Sequence, residues 1–210
     1  MQKPIIVFEG VDGSGKSTVA SVVSAALKDS ILIHFPSEQT SYGKKMHQVK
    51  SGVLTLTPSE VLEAYILDMC YMIDALESVT GTPIIFDRYF YSTMVYQPIF
   101  NSISPEIVRE EIDKAKLPIP DMTFLLDVNI DTVKSRLDAR AVRGKSDRDI
   151  FDKRLDKIEQ AITYYRYLAQ EHAMSIIDAT KPLDDVVVQC LTIIKRRLYG
   201  NEKEANRDHI

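Results

Sequence analysis

Residues 10–17 read Gly-Val-Asp-Gly-Ser-Gly-Lys-Ser and match the phosphate-binding pattern G-x-x-x-x-G-K-[ST] at every fixed position. Glycines in such a loop let successive backbone N–H groups turn inward on a polyphosphate. Lys16 would add a positive charge for the outer phosphates, and the Ser17 hydroxyl could ligate Mg²⁺. We therefore predict that a polyphosphate is bound by this phosphate loop and the residue after it: Gly10, Val11, Asp12, Gly13, Ser14, Gly15, Lys16, Ser17 and Thr18.

A second group of polar residues follows the apolar run 83–86, where a strand is expected to end. Asp87 could hold a Mg²⁺-bound water or orient a nucleophile, and Arg88 could clamp phosphate oxygens through its rigid guanidinium fork. Transfer of a phosphoryl group needs cations where negative charge develops, which is why these residues fit beside the phosphate loop. The alternative is a solvent-exposed ion pair at a strand end. Further polar side chains follow in the same stretch: Ser92, Thr93, Tyr96 and Gln97.

A cluster of four cations lies within nine residues around a glycine: Arg140, Arg143, Lys145 and Arg148. This composition suggests a mobile basic lid at about residues 139–150. A loop that closes over a reacting phosphate excludes water and brings arginines to it. The alternative interpretation is a solvated, charged turn.

Short β-branched and aromatic runs alternate with longer stretches of helical periodicity. Strands are expected at residues 4–8, 31–35, 83–86, 122–126 and 173–177. Helices are expected at residues 16–27, 59–77, 91–96, 105–116, 130–140, 148–170 and 183–198. The alternation predicts an α/β fold of three layers, in which a five-stranded parallel sheet is covered by helices on both faces. Ligands of such sheets bind beyond the carboxyl ends of the strands, where both polar groups are expected.

The composition limits the classes of partner. The 210 residues suit one domain at residues 1–198, followed by a polar tail at 199–210. A formal net charge of −4 disfavours sequence-independent binding to nucleic acid. Apolar runs fall far short of the roughly 18 residues needed to span a membrane, and no signal peptide is visible. We therefore expect a cytoplasmic protein with neither a membrane nor a nucleic-acid partner.

Five segments in order along the chain make a more specific pattern than the phosphate loop alone. They are Val-Phe-Glu-Gly-Val-Asp-Gly-Ser-Gly-Lys-Ser-Thr (7–18), Phe-Pro…Thr…Gly-Lys (35–44), Asp-Arg-Tyr…Ser-Thr…Tyr-Gln (87–97), Leu-Leu-Asp-Val (125–128) and Ile-Asp-Ala-Thr-Lys-Pro-Leu-Asp-Asp-Val (177–186). Together they resemble the thymidylate kinase family, and the resemblance extends to about residue 198. It implies transfer of the γ-phosphoryl group of ATP to a deoxynucleoside monophosphate, in the first place dTMP, for dTTP biosynthesis. It also implies Mg²⁺ as cofactor and a homodimer.

The resemblance implies roles for matching residues on the donor side. Lys16 and the phosphate loop would hold the phosphates of ATP. Arg136 would stack on adenine, and Lys181 would lie beside that base. Ser17 would ligate Mg²⁺, while Asp87 would order the metal and its waters.

Other matching residues would act on the reacting phosphates. Asp12 would lie near the acceptor sugar and phosphate, and Arg88 would clamp the acceptor phosphate. Because Gly13 carries no charge, the extra cation of the family would come from the lid, with Arg143 and Arg148 as the best candidates.

The acceptor side departs from the family pattern at two places. After the Phe-Pro pair the family carries an arginine near the acceptor phosphate, where this chain has Glu38 or Gln39. One turn after Tyr65, which would stack on the base, the family carries an arginine that reads thymine, where this chain has Asp68 or Met69. An ionised Asp68 would repel a carbonyl oxygen and could instead accept from an amino group.

Without the resemblance, Tyr65 would be a core aromatic residue and Asp68 a surface acid. With it, we expect the acceptor to contact Asp12, Pro36, Tyr65, Asp68, Arg88, Ser92, Thr93, Tyr96 and Gln97.

Alternative functions remain open at this point. The acceptor preference could be shifted or broadened toward dUMP, a modified pyrimidine or another deoxynucleoside monophosphate. A deoxynucleoside kinase has a similar loop and acid-arginine pair, but it uses a carboxylate base on a sugar hydroxyl. A slowly hydrolysing regulatory switch is disfavoured because the sequence lacks a guanine-reading Asn-Lys-x-Asp segment.

Overall fold

The computed structural model describes residues 3–141 and 155–200. Five parallel strands form one sheet in the spatial order β2-β3-β1-β4-β5. Their bounds are β1 Ile5–Glu9, β2 Ile31–His34, β3 Ile84–Asp87, β4 Met122–Asp127 and β5 Ser175–Asp178. The predicted α/β fold with a five-stranded parallel sheet is therefore confirmed, with strand ends within two residues of those expected.

Eight helices connect the strands in the described ranges: α1 Lys16–Ala26, α2 Ser41–Lys50, α3 Pro58–Ala75, α4 Phe90–Asn101, α5 Pro105–Ala115, α6 Ile130–Ala141, α7 Leu155–Glu171 and α8 Leu183–Tyr199. Helix α3 begins with a capping box in which Thr57 and Glu60 satisfy each other's backbone N–H groups. Helix α5 begins at Ser104, whose hydroxyl accepts from the backbone of Ile107. Within 3–141 and 155–200, we find no helix whose length and apolar character would let it cross a bilayer.

The central strand β1 brings the two sequence motifs together. It pairs with β3 on one side and with β4 on the other. Phe8 lies opposite Asp87, and Glu9 lies opposite Leu125, so three strands end at the same edge of the sheet. All five residues of β1 are buried, as expected for a parallel strand covered on both faces. The phosphate loop and the segment that follows Asp87 therefore leave the sheet side by side.

Helix α2 is absent from the predicted set, and it is the main difference between the expected and the observed fold. It begins after Thr40, whose hydroxyl accepts from the backbone N–H of Gly43 at 2.8 Å. Gly43 is required because a Cβ at this position would lie 2.1 Å from the carbonyl oxygen of Ser37. The helix packs on α3 and buries Met46, so tertiary packing stabilises a segment of polar sequence.

Two other helices differ from their expected bounds. Helix α4 covers Phe90–Asn101, not 91–96, and it continues through Pro98. The longer helix therefore includes Gln97 and Asn101, together with Ser92 and Thr93. The start predicted at residue 148 for α7 lies outside the described residues, whereas the end of that helix agrees with the prediction to within one residue.

Candidate active site

The phosphate loop connects β1 to α1 through backbone conformations that favour glycine. Gly10 has a φ of 146° and Gly15 has a φ of 94°. A Cβ at Gly10 would also lie 2.8 Å from the carbonyl oxygen of Leu126, so a side chain cannot be accommodated there. The loop ends at the N-terminus of α1, where free backbone N–H groups and the helix dipole favour an anion. The local structure is therefore that expected of a phosphate cradle.

Lys16 and Arg88 converge on a single carboxylate oxygen. The ammonium of Lys16 lies 3.5 Å from Oδ1 of Asp12 and 3.3 Å from the carbonyl oxygen of Val11. Arg88 donates to the same Oδ1 of Asp12 through Nη2. Lys16 comes from the phosphate loop and Arg88 from the end of β3, so the two predicted phosphate-binding cations meet as expected.

Burial and charge perturb the pKa values of this cluster. The Arg88 guanidinium holds the pKa of the Asp12 carboxyl well below its usual range. Burial lowers the pKa of Lys16 to about 8, with a further contribution from Arg88. Burial opposes the charge of Arg88, but Asp12 and other neighbours hold its pKa above the ordinary value. The cluster therefore keeps Asp12 ionised and Arg88 charged, while Lys16 loses its proton more easily than an exposed lysine.

Glu9, for which the sequence analysis made no prediction, helps to position Arg88 through Ser92. Its buried carboxylate accepts from the backbone N–H groups of Tyr89 (2.8 Å) and Ser92 (3.1 Å) and from the Ser92 hydroxyl (2.6 Å). Tyr165 also donates to this carboxylate, at 3.1 Å. Ser92 Oγ in turn accepts from Nη1 of Arg88 at 3.1 Å, and Arg88 has a φ of 72° that is uncommon for a residue with a side chain. Burial raises the pKa of Glu9. Its only sequence signal is a charge at the end of an apolar strand.

A cavity of about 730 Å³ opens beside Arg88, and we call it the larger cavity. This volume suits a nucleotide-sized ligand. Eight of the nine predicted acceptor residues line it: Asp12, Pro36, Tyr65, Arg88, Ser92, Thr93, Tyr96 and Gln97. The guanidinium of Arg88 also lies 5.2 Å from the ring centroid of Tyr96, which restricts its orientation further.

Asp68, the ninth predicted acceptor residue, does not line the larger cavity. Its side chain is fully buried and accepts from the backbone N–H of Ser37 at 2.7 Å, from the Ser37 hydroxyl at 2.6 Å and from the Thr40 hydroxyl at 2.5 Å. The expectation that Asp68 faces the base is therefore wrong, because its carboxylate fixes the loop between β2 and α2. Met69, its neighbour on α3, lines the cavity instead.

The residues at the edge of the sheet fit the predicted magnesium site. Oδ2 of Asp87 lies 2.8 Å from Nδ1 of His34 and accepts a hydrogen bond when that nitrogen carries a proton. Its other oxygen, Oδ1, is buried and has no hydrogen-bond partner in the described part of the chain. The Ser17 residue is exposed at the start of α1. Clusters of three or more His, Cys, Asp or Glu side chains that could hold a metal are not found in 3–141 and 155–200. A cation here would therefore take its remaining ligands from phosphates and water, as Mg²⁺ commonly does.

A second cavity of about 320 Å³, the smaller cavity, lies on the other side of the phosphate loop. Arg136 donates to the carbonyl oxygens of Gly13 (3.1 Å), Ser14 (2.9 Å) and Ala179 (2.6 Å). Because these three bonds fix the plane of the guanidinium, Arg136 can meet a ligand through its planar face, as stacking on a base requires. The predicted donor residues that line this cavity are Gly13, Ser14, Gly15, Thr18, Arg136 and Lys181.

Two further points concern predicted and missed cations. Arg143 and Arg148 of the lid lie outside the described residues. Lys50, which the sequence analysis did not single out, lines the larger cavity from the end of α2. No motif or periodicity pointed to Lys50, because α2 itself was not expected.

Comparison with known proteins agrees with this arrangement. Residues 8–190 match the family model described as thymidylate kinase. The chain is 34% identical over 208 residues to a thymidylate kinase from Leptospira borgpetersenii, which covers 93% of this chain and 96% of the relative. It is 31% identical over 199 residues to a probable thymidylate kinase from Archaeoglobus fulgidus, with 91% of this chain and 94% of the relative covered.

A solved structure gives the same result at the level of the fold. The thymidylate kinase of Candida albicans, which is described as having broad substrate specificity, superposes with a TM-score of 0.71 at 26% identity. The match covers 100% of this chain and 94% of that chain. The chain therefore belongs to the thymidylate kinase family and is a phosphotransferase.

Proposed function

We propose that this chain transfers the γ-phosphoryl group of ATP to dTMP and forms ADP and dTDP. Family membership supports both the reaction and the acceptor. The observation that carries the proposal is the meeting of Lys16 and Arg88 at Oδ1 of Asp12. A γ-phosphate held by Lys16 and an acceptor phosphate held by Arg88 would be neighbours at this point, which is what in-line transfer needs.

In this reaction an oxygen of the acceptor phosphate attacks the γ-phosphorus and forms a new P–O bond. The bond from that phosphorus to the β-γ bridging oxygen breaks, and ADP leaves with the electron pair. The acceptor phosphate is already ionised at neutral pH, so no side chain has to remove a proton. The protein therefore acts by positioning and by charge: Lys16 on the donor, Arg88 on the acceptor, and Asp12 as the carboxylate that orients both cations.

Mg²⁺ is the proposed cofactor. Ser17 would hold it from the start of α1, and Asp87 would order its waters through Oδ1, which has no hydrogen-bond partner among the described residues. When bound, the ion neutralises charge on the β- and γ-phosphates.

The base of the acceptor would be recognised on the walls of the larger cavity. Tyr65 would stack on the pyrimidine, and Thr93 and Gln97 would contact its polar edge. Asn101 donates to Oε1 of Gln97 at 2.7 Å, which orients this amide and leaves its Nε2 group as the donor. In this proposal Gln97 Nε2 donates a hydrogen bond to a carbonyl oxygen of thymine, because neither Asp68 nor Met69 can donate one there.

The adenine of ATP would bind in the smaller cavity, on the face of Arg136 and beside Lys181. Residues 139–150 would act as a lid that brings Arg143 or Arg148 to the phosphates. Residues 1–198 would form one kinase domain with a polar tail at 199–210. The family resemblance further supports a homodimer and a cytoplasmic location, and light scattering of the purified protein would test the dimer.

The test is ATP consumption with Mg²⁺ in the presence of dTMP, dUMP, dCMP, dAMP, dGMP, thymidine or no acceptor. We expect the highest kcat/KM with dTMP, and almost no consumption without a monophosphate. Consumption that ignores the acceptor, or that requires thymidine instead of dTMP, would reject the proposal. Lys16→Met serves as the control, because loss of a cation on the transferred group typically lowers kcat by about 10²–10³-fold.

A further inference from the structure

Lys50 is the last residue of α2, and its side chain lines the larger cavity together with Arg88. These two are the cations among the described residues that line it. Lys50 does not line the smaller cavity, where Arg136 and Lys181 lie. Its position therefore places its charge on the acceptor side of the phosphate loop.

The local charges leave Lys50 available to an anion. Arg88 and Asp12 form an ion pair, so their charges offset each other in front of the cavity. Within the described ranges, no ion pair or hydrogen bond of the Lys50 ammonium is found. Lys50 is exposed as a residue, although its side chain lines the larger cavity with Arg88. Burial and repulsion from Arg88 lower the pKa of Lys50, while Asp12 and Asp87 act in the opposite direction. An anion between the two cations would relieve this repulsion.

We propose that Lys50 binds the 5′-phosphate of the acceptor nucleotide opposite Arg88. This assignment rests on the proposed function for the identity of the acceptor. A lysine carries a point charge on a flexible four-carbon stem, so Lys50 can follow the phosphate from the edge of the cavity. Arg88 is held by Asp12 and Ser92 and supplies the fixed partner. Without Lys50, an entering dianion would meet one cation already paired with a carboxylate.

The test compares Lys50→Met with Lys50→Arg, which keeps the charge, and with Lys45→Met. Lys45 lies on the same helix and lines neither cavity, so Lys45→Met controls for the loss of a lysine from α2. Calorimetry would measure the Kd of dTMP and of thymidine, which lacks the phosphate, and kinetics would measure the KM of ATP. Thermal unfolding would show that each variant is folded.

We expect Lys50→Met to weaken dTMP binding about tenfold, since a hydrogen bond to a charged group is lost. Thymidine binding and the KM of ATP should change less than twofold, and Lys50→Arg should restore most of the dTMP affinity. A loss of dTMP affinity below threefold, or an equal loss for thymidine, would overturn the inference. Because binding requires no turnover, this result is independent of whether the wild-type chain phosphorylates dTMP.

Discussion

Replacement of Asp68 distinguishes a structural role from a role in base selection. The carboxylate is fully buried on α3, and its Oδ2 accepts from the Ser37 N–H while its Oδ1 accepts from the hydroxyls of Ser37 and Thr40. Asp68→Ala would remove both acceptor oxygens and with them all three hydrogen bonds. Asp68→Asn would keep the shape of the side chain but would place an NH₂ group where one oxygen now accepts.

The expected cost follows from these contacts. In Asp68→Ala the buried N–H of Ser37 loses its partner, which costs about 1–3 kcal/mol, and two hydroxyls lose a charged acceptor. We expect a total loss of about 3–5 kcal/mol in the free energy of unfolding, and about 1–3 kcal/mol for Asp68→Asn, which retains one acceptor oxygen. Asp74 is an exposed aspartate on the same helix, so Asp74→Asn is the matched control and should stay within about 0.5 kcal/mol of wild type.

Urea unfolding measures the free energy, and the ratio of kcat/KM for dTMP and dCMP measures base selection. We expect stability to fall in the order stated, while the dTMP to dCMP ratio of Asp68→Asn stays within about threefold of wild type. The reasoning would be refuted if both Asp68 variants unfolded like wild type and the ratio shifted toward dCMP. That result would mean that the carboxylate faces the base and not the loop before α2.

Three other predictions concern the charged groups around Arg88. The pKa of Lys16 is about 8 because of burial, so in the ATP-free protein the kcat/KM for ATP should fall as the pH rises through about 8; an unchanged value up to pH 9.5 would contradict this. Since this pKa lies below that of an exposed lysine, the contribution of Lys16 to stability is least favourable at low pH and improves as the pH rises from about 8 toward 10. Glu9→Gln should lower kcat with dTMP by about tenfold and leave the KM of ATP unchanged, because the acceptor for Ser92 Oγ becomes a donor and Arg88 loses its support. A fall in the ATP affinity alone would show that Glu9 serves the phosphate loop instead.

The sheet and the phosphate loop could be predicted because their determinants are local. Buried parallel strands have continuous apolar sequences, and the loop needs glycine at fixed positions such as Gly10 and Gly15. Arg88 could be placed beside Lys16 because neighbouring parallel strands end at the same edge of a sheet. These inferences depend on chain order and on backbone geometry, and they need no knowledge of distant side chains.

The remaining features depend on contacts between segments that are far apart in sequence. Gly43 resembles a loop residue until the carbonyl of Ser37 is seen 2.1 Å from where a Cβ would be. Asp68 resembles a surface acid or a base contact until its partners on the loop 31 residues earlier are known. Glu9 gains its role from Ser92, which is 83 residues later. No periodicity or motif encodes such pairings, so they could not be derived from the sequence alone.

Asp68 and Lys50 are linked through α2. Asp68, which lies on α3, holds the loop where α2 begins, and Lys50 is the residue where α2 ends. Asp68 fixes Ser37 and Thr40, and Thr40 caps the start of α2 through Gly43, whereas Lys50 ends the helix about 15 Å further on. Because α2 is a rigid element, the loop that Asp68 holds at its start also determines the position of the Lys50 ammonium at its end. Asp68→Asn should therefore weaken the binding of dTMP more than that of thymidine, although it leaves base selection unchanged. The loss should disappear in the Lys50→Met background, because Asp68 would act on the phosphate only through the position of Lys50, and a double-mutant cycle measures that coupling.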